Sequence, residues 1–203
     1  MGAFTAKATS GSGGTEKAPA GNHPAILVAI VDMGTQQTEY QGTQKWQRRG
    51  YFVWELVTEK VSGTKDRNHV IALDLAISLN EKAKLRKFIE SRTGKKIEEG
   101  AELDVDTELG QKCLLGVVSN AKGYPRVETV SAVPKGLPFP EPQTKPFAIT
   151  LAEFRGGTPI PDWVPYLFGE PLADVIARCK EIAGDPATRP VAGGDAKAED
   201  IPF

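Results

Sequence analysis

Two short apolar segments limit the folds open to this chain. Residues 25–31 and 51–57 are rich in β-branched and aromatic side chains, and polar sequence bounds each of them. Runs of this length and composition are typical of buried strands. A third strand is predicted over residues 69–79, and the polar stretch between the first two, residues 34–50, is predicted to be a long connecting loop.

A helix and a hairpin are predicted to follow the third strand. Asn80 is a suitable N-cap, and apolar residues then recur at helical spacing up to Gly94, which suits the C′ position. Residues 112–120 and 125–133 predict two further strands joined by a hairpin turn. This order is that of a mainly β fold, a five-stranded OB-type β-barrel with one helix between strands 3 and 4. Other small α+β folds share the same order of elements.

Composition divides the chain into five segments. Residues 1–21, rich in Gly, Ala, Ser and Thr, are predicted to be a flexible N-terminal arm, and residues 22–135 the OB-fold domain. Prolines predict an extended linker over residues 136–160. Residues 161–183 predict a short helical appendage, and residues 184–203 a disordered acidic tail.

The overall charge does not indicate a polyanionic partner. The chain has 25 Lys and Arg against 26 Asp and Glu, so the formal net charge is −1. With only two cysteines and two histidines, a zinc site is not expected, and no cofactor is predicted. The N-terminus has no signal-peptide pattern and no stretch is long enough to span a bilayer, so a cytoplasmic location is expected.

Aromatic and cationic residues are nevertheless concentrated in residues 40–54, which contain no carboxylate. Single-stranded nucleic acid is bound without sequence preference where rings stack on bases and cations follow phosphates. The turn of the predicted hairpin repeats this mixture. The predicted DNA-binding residues are Tyr40, Lys45, Trp46, Arg48, Arg49, Tyr51, Trp54, Lys122, Tyr124 and Arg126.

Strand alternation indicates which of these rings face the core and which face solvent. Trp54 lies on one face of its strand with Phe52, and Tyr51 lies on the other face with Glu55. Tyr51 is therefore expected to be exposed, whereas Trp54 fits the core and the DNA surface equally well. Trp46, among cations in the polar segment, is the main stacking candidate, and the alternative is a ring folded back onto the barrel. The aromatic residues of the appendage are expected to pack it onto the barrel or a second subunit: Trp163, Tyr166 and Phe168.

The C-terminal tip, Asp200-Ile201-Pro202-Phe203, follows Glu199 and a flexible tether. It offers a partner two apolar side chains, a proline that limits the loss of freedom on binding, and a carboxylate for a basic pocket. The tip closely resembles the terminal tip of bacterial and phage single-stranded DNA-binding proteins. The resemblance implies that these four residues recruit replication, recombination or repair proteins.

A second resemblance lies in the body of the chain. Residues 21–28, 40–42 and 51–56 are similar to a phage and prophage family of single-stranded DNA-binding proteins, within a region of roughly residues 20 to 135. Residues 161–165 are similar to a downstream segment of the same family. The resemblance implies an OB fold and a role in phage or prophage DNA replication or recombination. The long N-terminal arm departs from that pattern.

Catalytic motifs of the common hydrolase, nucleotide-binding and metalloprotease types are missing, so an enzyme is not expected. Two other functions stay open. One is an OB-type adaptor that binds proteins and not DNA, and the other is a metal-dependent nuclease. Asp104 and Asp106 could form a metal pair, but a solvated loop is the favoured interpretation of so acidic a stretch. Edge strands could also pair two copies into a homo-oligomer.

Overall fold

The computed structural model describes residues 16–40, 42–62 and 67–184. Its strands are β1 (Gly21–Tyr40), β2 (Thr43–Lys60), β3 (Asn68–Ala76), β4 (Lys112–Ser119), β5 (Pro125–Ser131) and β6 (Phe147–Ile149). Its α-helices are α1 (Lys84–Thr93), α2 (Leu151–Arg155), α3 (Leu172–Ala177) and α4 (Lys180–Ala183), and a 3-10 turn (Val105–Glu108) precedes β4. The mainly β class and the helix between the third and fourth strands are confirmed.

The sheet is antiparallel along the order β3-β2-β1-β4-β5, and the short β6 runs parallel beside β1. The long β1 pairs with β4 through its first residues and with β2 along most of its length. Register shifts between Leu27 and Ala29 and between Asp32 and Thr35 mark bulges, which bend a strand and increase its twist. In the described part of the chain β3 and β5 lie near each other without a hydrogen-bonded ladder, so hydrogen bonds do not close the sheet into a barrel.

Helix α1 covers the gap between β3 and β5. Its apolar residues Leu85, Phe88 and Ile89 join Trp54 and other strand residues in the first of two buried clusters. The helix begins later than predicted because residues 80–83 form a turn in which the Ala83 N–H donates to the carbonyl of Asn80. It ends as predicted at Gly94, which has the left-handed conformation (φ 68°).

The opposite face of the sheet carries a second buried cluster. There Val28, Tyr51 and Val53 pack against residues of β6 and α2 and against Leu172 and Ile176 of α3. Residues 139–183, including β6 and the three short helices, thus form a cover over this face, which we call the C-terminal cover. Much of the stretch predicted as a linker therefore packs against the sheet instead of extending away from it.

A buried carboxylate attaches the C-terminal cover to the sheet. Glu55 in β2 is 1% exposed, and its oxygens accept the N–H groups of Gln143 (2.7 Å) and Thr144 (2.9 Å) and the side-chain amide of Asn68 (2.6 Å). Burial raises the pKa of Glu55, but these hydrogen bonds outweigh burial and hold the pKa below its ordinary value. The charged form is therefore the one that the fold stabilises.

Residues 16–20, the described end of the predicted flexible arm, lie against the sheet. Ala18 is buried within the first cluster, and the Glu16 carboxylate accepts the Ser62 hydroxyl at 2.8 Å. Residues 1–15 lie outside the described residues. Across the described ranges, no helix is long and apolar enough to cross a membrane.

Candidate nucleic-acid interface

The polar segment predicted as a loop forms a two-stranded ribbon instead. Residues 35–40 of β1 pair with residues 43–48 of β2, and Trp46 stands opposite Gln37. The pairing of β2 with β3 ends at Arg49, and β4 pairs with β1 only as far as Ile26. The ribbon thus extends past the neighbouring strands, and its polar composition, which resembled a loop, suits a ladder whose described side chains are exposed or half-buried.

The ribbon holds Trp46 half-buried and Lys45 exposed. The ammonium of Lys180 lies 5.5 Å from the Trp46 ring centroid, within the range of a cation–π contact. Trp46 therefore lies on a strand of the ribbon, with the Lys180 ammonium beside its ring. The side chain of Tyr40, another predicted contact, lies outside the described residues.

Helix α4 is held beside the ribbon by Glu181. Its carboxylate accepts the Thr35 N–H at 2.8 Å and the Thr35 hydroxyl at 2.6 Å. Partial burial raises the pKa of Glu181, but the Thr35 hydrogen bonds prevail and lower it to about 2. Gly34 makes this approach possible, because a Cβ there would lie only 2.7 Å from Sγ of Cys179. The cation next to Trp46 is therefore supplied by the C-terminal cover.

The two arginines of the predicted site are paired with acids from other strand positions. Arg48 pairs with Asp32, and its side chain is more than half exposed. Arg49 is largely buried and bonds to both the carboxylate and the carbonyl of Asp74. The exposed Arg48 side chain can therefore also reach a phosphate, although its partner Asp32 is mostly buried, whereas Arg49 has a structural role in joining β2 to β3.

The expectation that Tyr51 is exposed is wrong. Tyr51 is 3% exposed because the C-terminal cover lies on its face, and its hydroxyl donates to the Tyr166 carbonyl at 3.3 Å. Burial also raises the pKa of Tyr51. Trp54 is 4% exposed in the first cluster, with its ring centroid 6.2 Å from that of Phe52. Neither ring is open to a nucleobase in this structure.

The β4–β5 hairpin presents the second group of predicted residues. The side-chain oxygen of Asn120 accepts the N–H groups of Lys122 (2.9 Å) and Tyr124 (3.0 Å), which shapes the turn. Tyr124 is 55% exposed, and the Lys17 ammonium lies 3.9 Å from its ring centroid. Arg126 is exposed and pairs with Glu128. This hairpin joins an open ring to several cations.

The predicted site residues thus fall into two groups at opposite ends of β1. The ribbon lies at the Tyr40 end, whereas the β4–β5 hairpin follows the strand that pairs with the Gly21 end. A third group of rings lies on the C-terminal cover, where the sequence predicted that Trp163, Tyr166 and Phe168 pack. Trp163 packs into the second cluster, but Tyr166 is 64% and Phe168 91% exposed, so neither of these two packs onto the sheet. No local sequence pattern distinguishes these exposed rings from packed ones.

In the acidic stretch before β4, Asp104 and Asp106 take part in a local hydrogen bond. The Asp104 carboxylate accepts the N–H of Asp106 at 3.1 Å and so caps the 3-10 turn. Within residues 16–40, 42–62 and 67–184, no group of three or more His, Cys, Asp or Glu side chains is placed to hold a metal ion. The predicted partner-binding residues Asp200, Ile201, Pro202 and Phe203 lie outside the described residues.

A scan of the chain against protein-family models finds no match, and a search of curated proteins finds none either.

Proposed function

We propose that this protein binds single-stranded DNA with little sequence preference, during phage or prophage DNA replication or recombination. The observation that carries the proposal is the exposed Tyr124 ring with the Lys17 ammonium above it and Lys122 and Arg126 beside it in the sequence. The exposed ring supplies stacking on the face that Lys17 does not occupy, and the cations supply contacts to phosphates. The half-buried Trp46 with Lys45 repeats the combination on the ribbon.

We further propose that the fold is of the OB type. In such folds the face of strands 2 and 3 and the loops 1–2 and 4–5 bind oligonucleotides. The ribbon corresponds to loop 1–2 and the β4–β5 hairpin to loop 4–5. The sharing of β1 between β2 and β4, with α1 over the gap from β3 to β5, supports this assignment.

The C-terminal tip has a separate role in this proposal. Asp200, Ile201, Pro202 and Phe203 recruit replication, recombination or repair proteins to coated DNA, which their resemblance to the tip of single-stranded DNA-binding proteins supports. The acidic flank attracts basic partners over distance.

A titration of fluorescently labelled oligo(dT) with the full chain, followed by anisotropy, tests the DNA-binding proposal. If three to four cations contact phosphates, raising the salt from 50 to 200 mM should weaken binding by roughly 15- to 60-fold. The titration is repeated with magnesium. Saturable, salt-sensitive binding of an intact oligonucleotide supports the proposal. Absence of binding would favour a protein adaptor, and magnesium-dependent degradation of the oligonucleotide would favour a nuclease. Either result refutes the proposal.

A further inference from the structure

A strained turn in the C-terminal cover places Phe168 in an unusual backbone conformation. Leu167 and Glu170 exchange two backbone hydrogen bonds of 3.0 Å, which closes a two-residue hairpin loop. Both loop residues have positive φ, 53° at Phe168 and 87° at Gly169, as in a type I′ turn. The first position of that turn favours Asn, Asp or Gly, and a bulky side chain there is strained.

Packing does not compensate this strain. Phe168 is the most exposed large apolar side chain in the described part of the chain, so its ring contributes little to the buried core. A strained residue whose side chain does not stabilise the fold points to a role outside folding. Tyr166, two residues earlier, is also exposed, and its carbonyl accepts the hydroxyl of the buried Tyr51.

Tyr166 and Phe168 lie on the outer surface of the C-terminal cover. The C-terminal cover lies over the face of β2 that holds Tyr51 and Val53, together with Ala72 of β3. A nucleic acid that follows this side of the protein therefore meets the outer surface of the cover and not the sheet itself. Tyr166 and Phe168 are the rings that this surface presents in place of Tyr51.

A groove beside Phe168 connects the cover to the ribbon. Its walls include Gln37 and Thr38 of β1, the Arg49–Asp74 pair and the Arg178–Glu170 pair. Arg178 and Glu170 are both exposed, so a phosphate can replace that carboxylate at little cost. The groove thus combines an open ring with amide groups and an exposed arginine whose ion pair is weak, which matches an unpaired nucleotide better than a purely apolar peptide segment.

We propose that Phe168 and Tyr166 form a stacking platform for unpaired nucleobases, with Arg178 at the neighbouring phosphate. This inference rests on the proposed DNA-binding function and extends it to a surface that the predicted site residues do not include. The C-terminal cover is then part of the interface. The strained conformation of Phe168 is retained because it presents the ring for stacking on a base.

The substitution Phe168→Asn tests the platform, because Asn tolerates the left-handed conformation and the turn is retained. Relief of the strain should raise Tm by about 2–4 °C. Loss of the stacked ring should weaken oligo(dT) binding by about 5- to 150-fold. Phe168→Tyr should keep the wild-type affinity, and Leu137→Ala, which removes an exposed apolar side chain outside the groove, should not change it.

The outcomes separate the two proposals. If the wild-type chain binds oligo(dT) and Phe168→Asn binds it equally well, the platform is refuted and the proposed function stands. If the wild-type chain does not bind oligo(dT), the proposed function fails and the platform with it. A more stable Phe168→Asn variant with weakened binding supports the platform.

Discussion

The substitution Glu55→Gln tests whether one buried carboxylate holds the C-terminal cover on the sheet. One carboxylate oxygen accepts both the Asn68 amide and the Gln143 N–H, and the other accepts the Thr144 N–H. Glutamine keeps the shape of the side chain but replaces one oxygen with a donor. In either orientation of the amide, at least one buried or partly buried N–H group then faces another N–H group.

The expected loss of stability follows from these three bonds. Leaving a buried donor unpaired costs about 1–3 kcal/mol, and each bond that loses its charged acceptor weakens by about 1 kcal/mol. With two such bonds remaining, the free energy of unfolding should fall by about 3–5 kcal/mol. The matched variant Glu128→Gln removes an exposed ion pair and should cost less than about 1 kcal/mol.

The fall in the free energy of unfolding at acidic pH, the acid limb of the stability curve, gives a second test. Because the pKa of Glu55 is lowered in the fold, its contribution is present above the ordinary pKa of 4.5 and is lost as the pH falls below that value. Glu55→Gln should remove that part of the pH dependence.

Urea unfolding followed by tryptophan fluorescence, at pH 7 and at intervals down to pH 3, measures both quantities. Equal stability of Glu55→Gln and the wild-type chain at pH 7, with an unchanged acid limb, would refute the reasoning.

Two further substitutions address the DNA interface, and one deletion addresses the C-terminal tip. Trp46→Ala should weaken oligo(dT) binding by about 5- to 150-fold in the anisotropy titration, and an unchanged affinity would exclude the ribbon from the interface. Tyr124→Ala should weaken it by a similar factor, whereas binding at the wild-type level would remove the observation on which the proposal depends. Deletion of residues 200–203 should leave the oligonucleotide affinity unchanged or slightly raised while pull-down of replication or repair proteins is lost. Loss of oligonucleotide binding on that deletion would contradict the division of roles.

The elements that sequence reasoning predicted correctly carry local signals. The apolar runs of β1 and β2, the 3.6-residue spacing of α1 with Gly94 at its end, and the turn of the β4–β5 hairpin each depend on near neighbours in the chain. The ribbon does not match the predicted loop because a ladder without a fully buried face shows no apolar alternation in its sequence.

The features that sequence reasoning missed depend on distant parts of the chain. Strand alternation separates the two faces of β2 correctly, but it cannot show that residues 139–183 cover the face of Tyr51. The acids that pair with Arg48 and Arg49 come from β1 and β3. The sequence of residues 40–54 alone therefore overestimates the positive charge of this region. Phe168 occupies a turn position that favours other residue types, so no local rule predicts its exposure.

Photo-cross-linking to an oligonucleotide that contains bromodeoxyuridine, followed by mapping of the cross-linked peptides, tests the central claim most directly. The proposed interface predicts cross-links in the peptides that contain Trp46, Tyr124 and Phe168, and a cross-linking yield that falls as salt is added. Cross-links confined to peptides outside these three groups, or none from an oligonucleotide at saturating protein concentration, would contradict the claim that this chain binds single-stranded DNA through its exposed rings and cations.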